Sequence, residues 1–365
     1  MAKLRNKVMI MAGGTGGHIF PALAIARELQ TQGLDVEWLG GRTGLETELV
    51  GNTDIPLHQI NARGIAGKGM IAVLRAPWMI LRATFEAWSI LRSSRPDCVL
   101  GMGGFVTGPG AVAARLLGIR LLIHEQNAVP GFTNNLLSRF AWRIMESFPQ
   151  TFAPARKAIH TGNPLRNEIL QLAERQPSAI DSERALHLLV LGGSQGAQSI
   201  NELIPVMLQH WQGARRPHVL HQTGKANLAQ TLSAYDAAGD MPADVEVRGF
   251  IDDMAAAYRW ADLVIGRSGA TTVCELAVAG MPSLLVPYPW HRDQQQLHNA
   301  RWLELSGAAI VLPQDQLNVT SLCKVVQQLD AQRQTLVDMA ASARRLGIAD
   351  ATQRIVAQCR EAANV

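Results

Sequence analysis

The chain alternates between short runs of apolar residues and longer stretches with an apolar residue at every third or fourth position. The first apolar run, residues 7–11, leads into Ala-Gly-Gly-Thr-Gly-Gly-His and then into a helical pattern over residues 21–32. A second run, residues 187–191, leads in the same way into Gly-Gly-Ser-Gln-Gly-Ala and a helical pattern. A buried strand, a glycine turn and a helix in this order are typical of the start of a doubly wound parallel sheet. The sequence therefore predicts an α/β protein with two such sheets.

Further apolar runs extend both predicted sheets. They are residues 36–39, 98–100 and 121–124 in the first half, and 219–222, 245–247, 263–265 and 283–286 in the second. Strands that alternate with helices at this spacing argue for parallel pairing with right-handed crossovers.

The length predicts two domains, because 365 residues exceed one ordinary domain. We predict one domain over residues 1–163 and another over residues 164–344, with a hinge in the Thr-Gly-Asn-Pro segment that ends at Pro164. A last helix lies within residues 345–365. The sequence leaves open whether this helix packs back on the first domain.

The composition fits folded domains in a reducing compartment. Hydrophobic residues make up 47% of the chain and charged residues 18%, which allows large cores and argues against disorder. The four cysteines contain no Cys-x-x-Cys pair, so neither a disulfide framework nor a zinc site is predicted. No apolar run reaches the roughly 18 residues of a membrane-spanning helix. Glycines interrupt the first apolar run too early for a signal peptide.

The net charge of +4 is unevenly distributed. Residues 1–165 carry 17 Lys and Arg against 10 Asp and Glu, a balance of +7, whereas residues 166–365 carry 17 against 20, a balance of −3. We therefore expect the first half to meet an anion, such as a phosphate or a lipid headgroup.

Three glycine-rich loops, residues 13–17, 101–104 and 192–196, follow predicted strands. A glycine turn before a helix lets backbone N–H groups approach an anion at the positive end of the helix dipole. Any one of these loops is equally well explained as a tight turn without a ligand. Three of them at the carboxyl ends of parallel strands predict a ligand site at that edge of the sheets.

Standard phosphate motifs are absent from these loops. None has the lysine of G-x-x-x-x-G-K-[ST], and G-x-G-x-x-G fails because Ile19 stands at its last position. The acid expected after the second strand is also missing, which disfavours NAD. No Asp-x-Asp triplet occurs, and the adjacent pair Asp252 and Asp253 is expected to cap a helix. We therefore predict no metal site and expect helix ends to neutralise a bound diphosphate.

An apolar stripe with a basic edge follows the second quarter of the chain. Its apolar members are Ile71, Leu74, Trp78, Leu81, Phe85 and Trp88, and its edge is formed by Lys68, Arg75 and Arg82. Spacings of three and four place the stripe on one face of a single helix, or of two helices restarted at Pro77. One interpretation is a helix that faces a protein core. The tryptophans and the basic edge favour the other, a patch that contacts an anionic membrane surface.

Seven short motifs occur in one order along nearly the whole chain. They are Ala12-Gly-Gly-Thr-Gly-Gly-His18, Gly101-Met-Gly-Gly104, His124-Glu-Gln-Asn127, Gly162-Asn-Pro-Leu-Arg166, Gly192-Gly-Ser-Gln-Gly-Ala197, Phe250-Ile-Asp-Asp253 and Arg267-Ser-Gly-Ala270, followed by Glu275 and Gln294-Gln-Gln296. In this set the chain resembles the MurG-type transferases of glycosyltransferase family 28. It departs from their pattern at Arg120, where a proline is usual, and at Gln294, which precedes the usual glutamine pair.

The resemblance implies the GT-B architecture, in which two Rossmann-like domains face a cleft. It implies transfer of N-acetylglucosamine from UDP-N-acetylglucosamine to the 4-hydroxyl of N-acetylmuramic acid in lipid I, undecaprenyl-pyrophosphoryl-N-acetylmuramyl pentapeptide. The product is lipid II, formed with inversion and a β-1,4 linkage during peptidoglycan biosynthesis. No cofactor and no essential metal are implied. The expected place is peripheral, on the cytoplasmic face of the cell inner membrane, with anionic phospholipid and other cell-wall synthesis enzymes as partners and no nucleic acid.

The resemblance also implies a set of residues that bind UDP-N-acetylglucosamine. They are Thr15, Gly16, Gly17, Asn127, Arg166, Ser194, Ile251, Ala270, Thr271, Thr272, Val273, Cys274, Glu275, Gln295 and Gln296. Ile251 offers backbone contacts to uracil, Glu275 accepts from the ribose hydroxyls, and Asn127 and the two glutamines face the sugar. Residues 270–272, Ser194 and Arg166 serve the nucleotide and its phosphates. These residue types suit the chemistry, since a helix start stabilises a diphosphate leaving group and a carboxylate can bind a diol.

On the acceptor side the resemblance implies His18 as the catalytic base. Thr15, Gly16 and Gly17 line this side, and the further acceptor-side residues are Gly13, Gly14, Gly103, Gly104 and Glu125. Imidazole titrates near neutrality, which suits proton transfer at working pH.

Several residues retain an alternative interpretation. His18 either takes the proton, or only donates a hydrogen bond to the acceptor pyrophosphate or caps its helix, in which case Glu125 is the main rival base. Glu275 is alternatively an exposed helix charge. His124 is expected to be structural, with its ring bound by Glu125 or by backbone. For the whole protein the alternatives are another GT-B transferase with a different lipid acceptor, or a UDP-sugar-binding module without turnover.

Overall fold

The computed structural model describes residues 6–62, 70–174, 183–192, 197–213, 215–239, 244–291 and 293–364, and within the helix that begins at Met70 it describes side chains from residue 76 onward. The chain forms two compact units, Met1–Arg166 with Asp350–Val365, and Asn167–Ala349. The chain first passes from one unit to the other between Arg166 and Asn167, just after the predicted hinge.

Each unit contains a parallel sheet. The first consists of β1 (Lys7–Ala12), β2 (Asp35–Gly41), β3 (Leu57–Ile60), β4 (Cys98–Gly103), β5 (Arg120–Glu125), β6 (Arg143–Glu146) and β7 (Ile159–His160), in the order β3-β2-β1-β4-β5-β6-β7. The second consists of β8 (His187–Leu191), β9 (His218–Gln222), β10 (Val245–Arg248), β11 (Leu263–Gly266), β12 (Ser283–Leu285) and β13 (Ala309–Val311), in the order β10-β9-β8-β11-β12-β13. The order reverses between β1 and β4 in one sheet and between β8 and β11 in the other. The predicted doubly wound folds are thereby confirmed.

Helices connect the strands. In chain order they are α1 (Gly16–Thr31), α2 (Leu45–Leu49), α3 (Met70–Ser94), α4 (Thr107–Leu116), α5 (Phe132–Leu137), α6 (Asn167–Leu170), α7 (Gln198–Gln209), α8 (Leu228–Ala237), α9 (Met254–Trp260), α10 (Ala270–Ala279), α11 (Gln295–Leu305), α12 (Val319–Ala331), α13 (Arg333–Leu346) and α14 (Ala351–Ala363). α3 continues through Pro77, so the single-helix alternative holds. Strands β3, β6, β7 and β13 were not among the predicted runs, because they are short and lie at or next to the sheet edges.

The first sheet has a core on each face. Val8 and Ile10 of β1 belong to the core formed with α1 and α14, whereas the alternating Met9 and Met11 belong to the core formed with α3 and α4. This division follows from the strand period of two. The second unit has a core in which β8, β9 and β11 pack with α7, α12 and α13.

The last helix, α14, belongs to the first unit. The thiol of Cys98 on β4 lies 3.7 Å from the carbonyl oxygen of Cys359. Arg120 donates to the carbonyl of Ala362 at 2.8 Å and to Oδ1 of Asn364 at 2.7 Å, which caps the end of α14. Arg120 therefore helps to hold α14 on this sheet.

Candidate active site

The glycine loops of the first unit lie at the switch point of its sheet. β1 and β4 are neighbours where the strand order reverses, and β1 leads into residues 13–17. The second predicted loop is shorter than expected, because residues 101–103 are the last residues of β4 and only Gly104 follows the strand. Ligands of open α/β sheets bind at this place, which agrees with the predicted edge.

His18 lies in the first turn of α1. The helix begins at Gly16 after Thr15, and the N–H of His18 donates to the carbonyl of Thr15 at 3.1 Å. Its ring is half-buried.

Gly103 and Gly104 allow two loops to approach each other closely. A Cβ on Gly103 would lie 2.7 Å from Nδ1 of His18, and a Cβ on Gly104 would lie 2.2 Å from the carbonyl oxygen of Gly13. Both glycines also have positive φ, 108° and 84°. The resemblance implied that these glycines serve the acceptor. In the structure, glycine is needed at these two positions because any Cβ there would collide with His18 or with the loop that precedes it.

A hydrogen-bonded chain of side chains leads inward from His18. Nδ1 of His18 lies 3.0 Å from Oε1 of Gln126, and Nε2 of Gln126 lies 3.1 Å from Nδ1 of His124. Nε2 of His124 lies 3.0 Å from the carbonyl oxygen of Gly162. Gln126 and His124 are fully buried, and burial lowers the pKa of His124 to about 4. The expected backbone partner of His124 is confirmed. No role was predicted for Gln126, which appeared only as a member of the His124–Asn127 motif.

Glu46 is a buried carboxylate that the sequence analysis missed. It accepts from the N–H of Gly14 at 3.1 Å and of Gly41 at 2.9 Å. A Cβ on Gly13 or on Gly44 would approach its carboxylate to within 2.6 or 2.3 Å. One N–H of the first glycine loop therefore binds the protein's own carboxylate. The only signal in the sequence was a glutamate among closely spaced glycines.

Glu125 is enclosed by donors. Its Oε1 accepts from the N–H of Asn127 at 3.0 Å and from Nδ2 of Asn127 at 3.3 Å. Its Oε2 accepts from the N–H of Gly131 at 3.1 Å and from Nδ2 of Asn134 at 2.9 Å. These bonds hold the loop after β5 and favour a structural role over the rival base role.

In the second unit, α10 begins at the corresponding switch point, after β11. Gly269 is its N-cap residue, and the N–H groups of its first turn have no intrahelical acceptor by helix geometry. Oγ1 of Thr271 is buried and has no hydrogen-bond partner among the residues that the structure describes. The side chains of Val273 and Cys274, two further predicted ligand residues, are buried.

Glu275 lies one turn into α10. It is 6% exposed, and Oε2 accepts from the hydroxyl of Tyr258 at 3.1 Å. The alternative of an exposed helix charge is therefore wrong. A buried carboxylate beside a helix start is expected to have a specific ligand or partner.

The remaining predicted donor residues are partly engaged in the protein. The N–H of Ile251 donates to Oε1 of Gln222 at 2.9 Å, so a contact to uracil would use its carbonyl or displace Gln222. Oε1 of Gln296 accepts from the N–H of Tyr288 at 2.9 Å, and Nε2 of Gln295 donates to Oδ2 of Asp293 at 2.8 Å.

Other predictions for this site have different outcomes. Asp253 caps α9 as expected, accepting from the N–H of Ala256 at 2.8 Å. Arg166 is exposed at the end of the first unit. Ser194 lies outside the described residues.

The apolar stripe on α3 is largely exposed where the structure describes it. Trp78, Leu81 and Phe85 are 70%, 61% and 67% exposed. Trp88 is half-buried and packs against the core, where Ala87 and Leu91 form the buried face of the helix. Arg82 pairs with Glu86 at 3.2 Å. The side chains of Ile71, Leu74 and Arg75, and all of Lys68, lie outside the described part.

Two features are absent from the residues that the structure describes. These residues contain no group of three His, Cys, Asp or Glu side chains placed to hold a metal ion. They also contain no helix long and apolar enough to cross a membrane.

Known proteins match this chain over its full length. The N-terminal and C-terminal domain models of glycosyltransferase family 28 match residues 8–146 and 187–355. A relative from Ectopseudomonas mendocina, named UDP-N-acetylglucosamine--N-acetylmuramyl-(pentapeptide) pyrophosphoryl-undecaprenol N-acetylglucosamine transferase, is 49% identical and covers 98% of this chain and 99% of its own.

Solved structures agree. The crystal structure of Acinetobacter baumannii MurG has a TM-score of 0.82 at 40% identity, covering 98% of this chain and 99% of that one. The glycosyltransferase of kitacinnamycin has a TM-score of 0.73 at 17% identity, with 98% of each chain covered, and shares the fold alone. The two parallel-sheet units with their switch-point loops, and identity at this level over both units, show that the chain belongs to glycosyltransferase family 28 and, within it, to the MurG-type transferases of GT-B architecture.

Proposed function

We propose that the protein transfers N-acetylglucosamine from UDP-N-acetylglucosamine to the 4-hydroxyl of N-acetylmuramic acid in lipid I, giving lipid II with inversion. The observation that carries this proposal is the 49% identity, over almost the whole of both chains, to a relative whose name states the donor and the pyrophosphoryl-undecaprenol acceptor. The same fold at 17% identity would support only an unspecified member of the fold.

The second unit binds the donor in this proposal. The diphosphate lies at the start of α10, where the N–H groups and the helix dipole stabilise the charge that develops on UDP. Glu275 accepts from the ribose hydroxyls, as the acid of a Rossmann fold does. Two observations support this: the buried carboxylate held by Tyr258, and the buried Oγ1 of Thr271 that has no partner among the described residues.

The reaction itself is a single displacement. The acceptor oxygen attacks the anomeric carbon from the face opposite UDP, so the configuration inverts. The new C–O bond forms as the bond to the phosphate oxygen breaks, and its electron pair leaves with UDP. His18 takes the proton of the acceptor hydroxyl. Glu125 suits this step less well, because its oxygens already accept four N–H bonds.

The exposed face of α3 supports a peripheral position on the membrane. Trp78, Leu81 and Phe85 present adjacent apolar side chains. Aromatic side chains next to basic residues suit the interface of an anionic bilayer. The lipid acceptor carries its sugar at the headgroup level, so a membrane contact on the first unit would hold the unit that contains His18 at the surface where the acceptor lies. The cytoplasmic face of the inner membrane is the surface that this proposal requires, since UDP-sugars are cytoplasmic donors.

One assay tests the proposed function. The purified protein is incubated with radiolabelled UDP-N-acetylglucosamine and lipid I in detergent, and the lipid product is separated. We expect label in a lipid-linked disaccharide, and little transfer from UDP-glucose or UDP-N-acetylgalactosamine. Transfer to another lipid acceptor but not to lipid I would favour a different GT-B transferase. Binding of the donor without any transfer would favour the module without turnover.

A further inference from the structure

We propose that Gln126 and His124 are positioning residues that keep the proton of His18 on Nδ1 and so leave the lone pair of Nε2 to take the acceptor proton. The proposal rests on the proposed function, in which His18 is the base. The four groups concerned, which are His18, Gln126, His124 and the carbonyl of Gly162, all lie within the first unit.

The innermost contact determines the tautomer of His124. The carbonyl oxygen of Gly162 can only accept a hydrogen bond, and Nε2 of His124 lies 3.0 Å from it. Nε2 of His124 therefore carries a hydrogen. The ring is fully buried, and burial lowers the pKa of His124 to about 4, so the ring is neutral near pH 7. A neutral imidazole with its hydrogen on Nε2 has an unprotonated Nδ1.

The side-chain amide of Gln126 is oriented by that nitrogen. The group that faces Nδ1 of His124 at 3.1 Å must be a donor, which is the NH₂ of Gln126. A second contact requires the same orientation, because Nε2 of Gln126 also lies 3.4 Å from the backbone carbonyl oxygen of His124. The flipped amide would place two acceptors against each other or require a buried imidazolium, and both are costly.

The orientation of Gln126 decides the tautomer of His18. With the NH₂ turned inward, Oε1 faces His18 and lies 3.0 Å from Nδ1. An amide oxygen can only accept, so Nδ1 of His18 carries the hydrogen. When the ring is neutral, its lone pair is then on Nε2, on the ring edge away from Gln126.

This arrangement provides the nitrogen that the reaction needs. A base with its hydrogen on Nε2 would present a donor to the acceptor hydroxyl and would have to change tautomer before each turnover. The hydrogen bonds of Gln126 and His124 make that change of tautomer unnecessary. Gly103 also leaves the space that the His18 ring occupies, because a Cβ on residue 103 would lie only 2.7 Å from Nδ1 of His18. Gln126 and His124 transfer no proton themselves. They only determine which nitrogen of His18 is protonated.

Nitrogen NMR measures the tautomer directly and needs no turnover. The full-length protein is labelled with ¹⁵N-histidine, and long-range ¹H–¹⁵N spectra are recorded at about pH 8.5, where imidazoles are ordinarily neutral. The His18 signals are assigned with His18→Gln. We expect a protonated Nδ1 and an unprotonated Nε2 for His18, and the reverse for His124. The opposite tautomer of His18 in the wild-type protein overturns the proposal, whether or not the protein proves to be the proposed transferase.

Two substitutions of Gln126 test the consequence. Gln126→Met keeps the size of the side chain but offers no strong acceptor. Gln126→Glu, as the neutral acid that burial favours, keeps an acceptor for Nδ1 of His18 and a donor for Nδ1 of His124. For Gln126→Met we expect His18 to lose its single tautomer and kcat to fall about tenfold or more, with KM for both substrates within about twofold. For Gln126→Glu we expect the tautomer to be retained and kcat to exceed that of Gln126→Met.

A matched control is available in the second unit. Asn201 is also a buried amide that contacts a buried histidine, with Oδ1 3.1 Å from Nε2 of His221. Asn201→Leu should lower the thermal midpoint and alter the His221 signals, while the His18 signals and kcat remain those of the wild type. If Gln126→Met lowers stability as Asn201→Leu does but changes neither the His18 tautomer nor kcat, Gln126 is structural and the proposal is wrong.

Discussion

The hydroxyl of Tyr258 donates a hydrogen bond to Oε2 of Glu275 at 3.1 Å, and both side chains are buried. A carboxylate costs free energy when it leaves water, and the hydroxyl of Tyr258 offsets part of that cost. In the proposed function the ribose hydroxyls of UDP donate to the same carboxylate.

Replacing Glu275 tests this role. Glu275→Ala should weaken UDP binding by about 1–3 kcal/mol, because the hydrogen bonds to the ribose are lost. Isothermal titration calorimetry with UDP measures the affinity. Tyr258→Phe is the control, since it removes the orienting hydroxyl but leaves the carboxylate, and we expect a smaller loss. An unchanged affinity in Glu275→Ala would reject the assigned role.

The base role of His18 predicts a different kinetic pattern. His18→Ala should lower kcat by about 10²–10⁴. The UDP affinity should stay at the wild-type value, since the proposed donor site belongs to the second unit. Steady-state kinetics with lipid I and calorimetry with UDP separate the two effects. A kcat within a few-fold of the wild type would move the proton transfer to another group, and Glu125→Gln would then be measured.

Gly103 predicts an effect through His18. In Gly103→Ala the new Cβ would lie 2.7 Å from Nδ1 of His18, and the positive φ of 108° disfavours alanine. The ring must then move, so we expect kcat to fall by about tenfold or more. Gly108→Ala is the matched control, because Gly108 lies in α4 and its Cβ would meet its nearest neighbour, Cγ2 of Thr133, at 3.5 Å. Equal activities of the two variants would contradict the assigned contact.

The exposed face of α3 predicts membrane binding. Trp78→Glu with Phe85→Glu should abolish most binding to vesicles that contain anionic phospholipid, because it replaces two inserted aromatic rings with charges of the lipid's own sign. Sedimentation with vesicles measures binding, and circular dichroism verifies folding. Leu305→Glu is the control, because Leu305 is an 86% exposed apolar side chain on the second unit. We expect this variant to bind the vesicles as the wild-type protein does. Undiminished binding of the double variant would place the membrane contact elsewhere.

Burial of His221 predicts an acid-sensitive stability. Burial lowers the pKa of His221 from 6.5 to about 3. Below pH 6.5 the unfolded chain binds a proton that the folded protein excludes, so the free energy of unfolding falls as the pH drops from 6.5 towards 3. The slope contributed by this group is at most about 1.4 kcal/mol per pH unit. Scanning calorimetry between pH 7.5 and pH 4 should show a smaller decrease of the thermal midpoint in His221→Gln. An identical pH dependence in both proteins would contradict this assignment.

The local pattern of the chain determines a large part of this structure. Strand periodicity and the two glycine turns predicted both doubly wound sheets, and the spacing on α3 predicted its apolar stripe. These features depend on neighbours within a few positions, so they are visible in the sequence. Short edge strands such as β3 and β7 were missed because so few residues carry no clear period.

Only the tertiary structure decides which side chains meet. Glu46 enters the first glycine loop from α2, and Gln126 connects His18 to His124 and to the carbonyl of Gly162, across separations of up to 108 residues for one contact. No local period relates these positions. The sequence determines that a histidine stands at the start of α1. The pairing of β5 with β4, which itself pairs with β1, determines which nitrogen of that histidine carries the proton, because hydrogen-bond direction depends on the groups that the fold brings together.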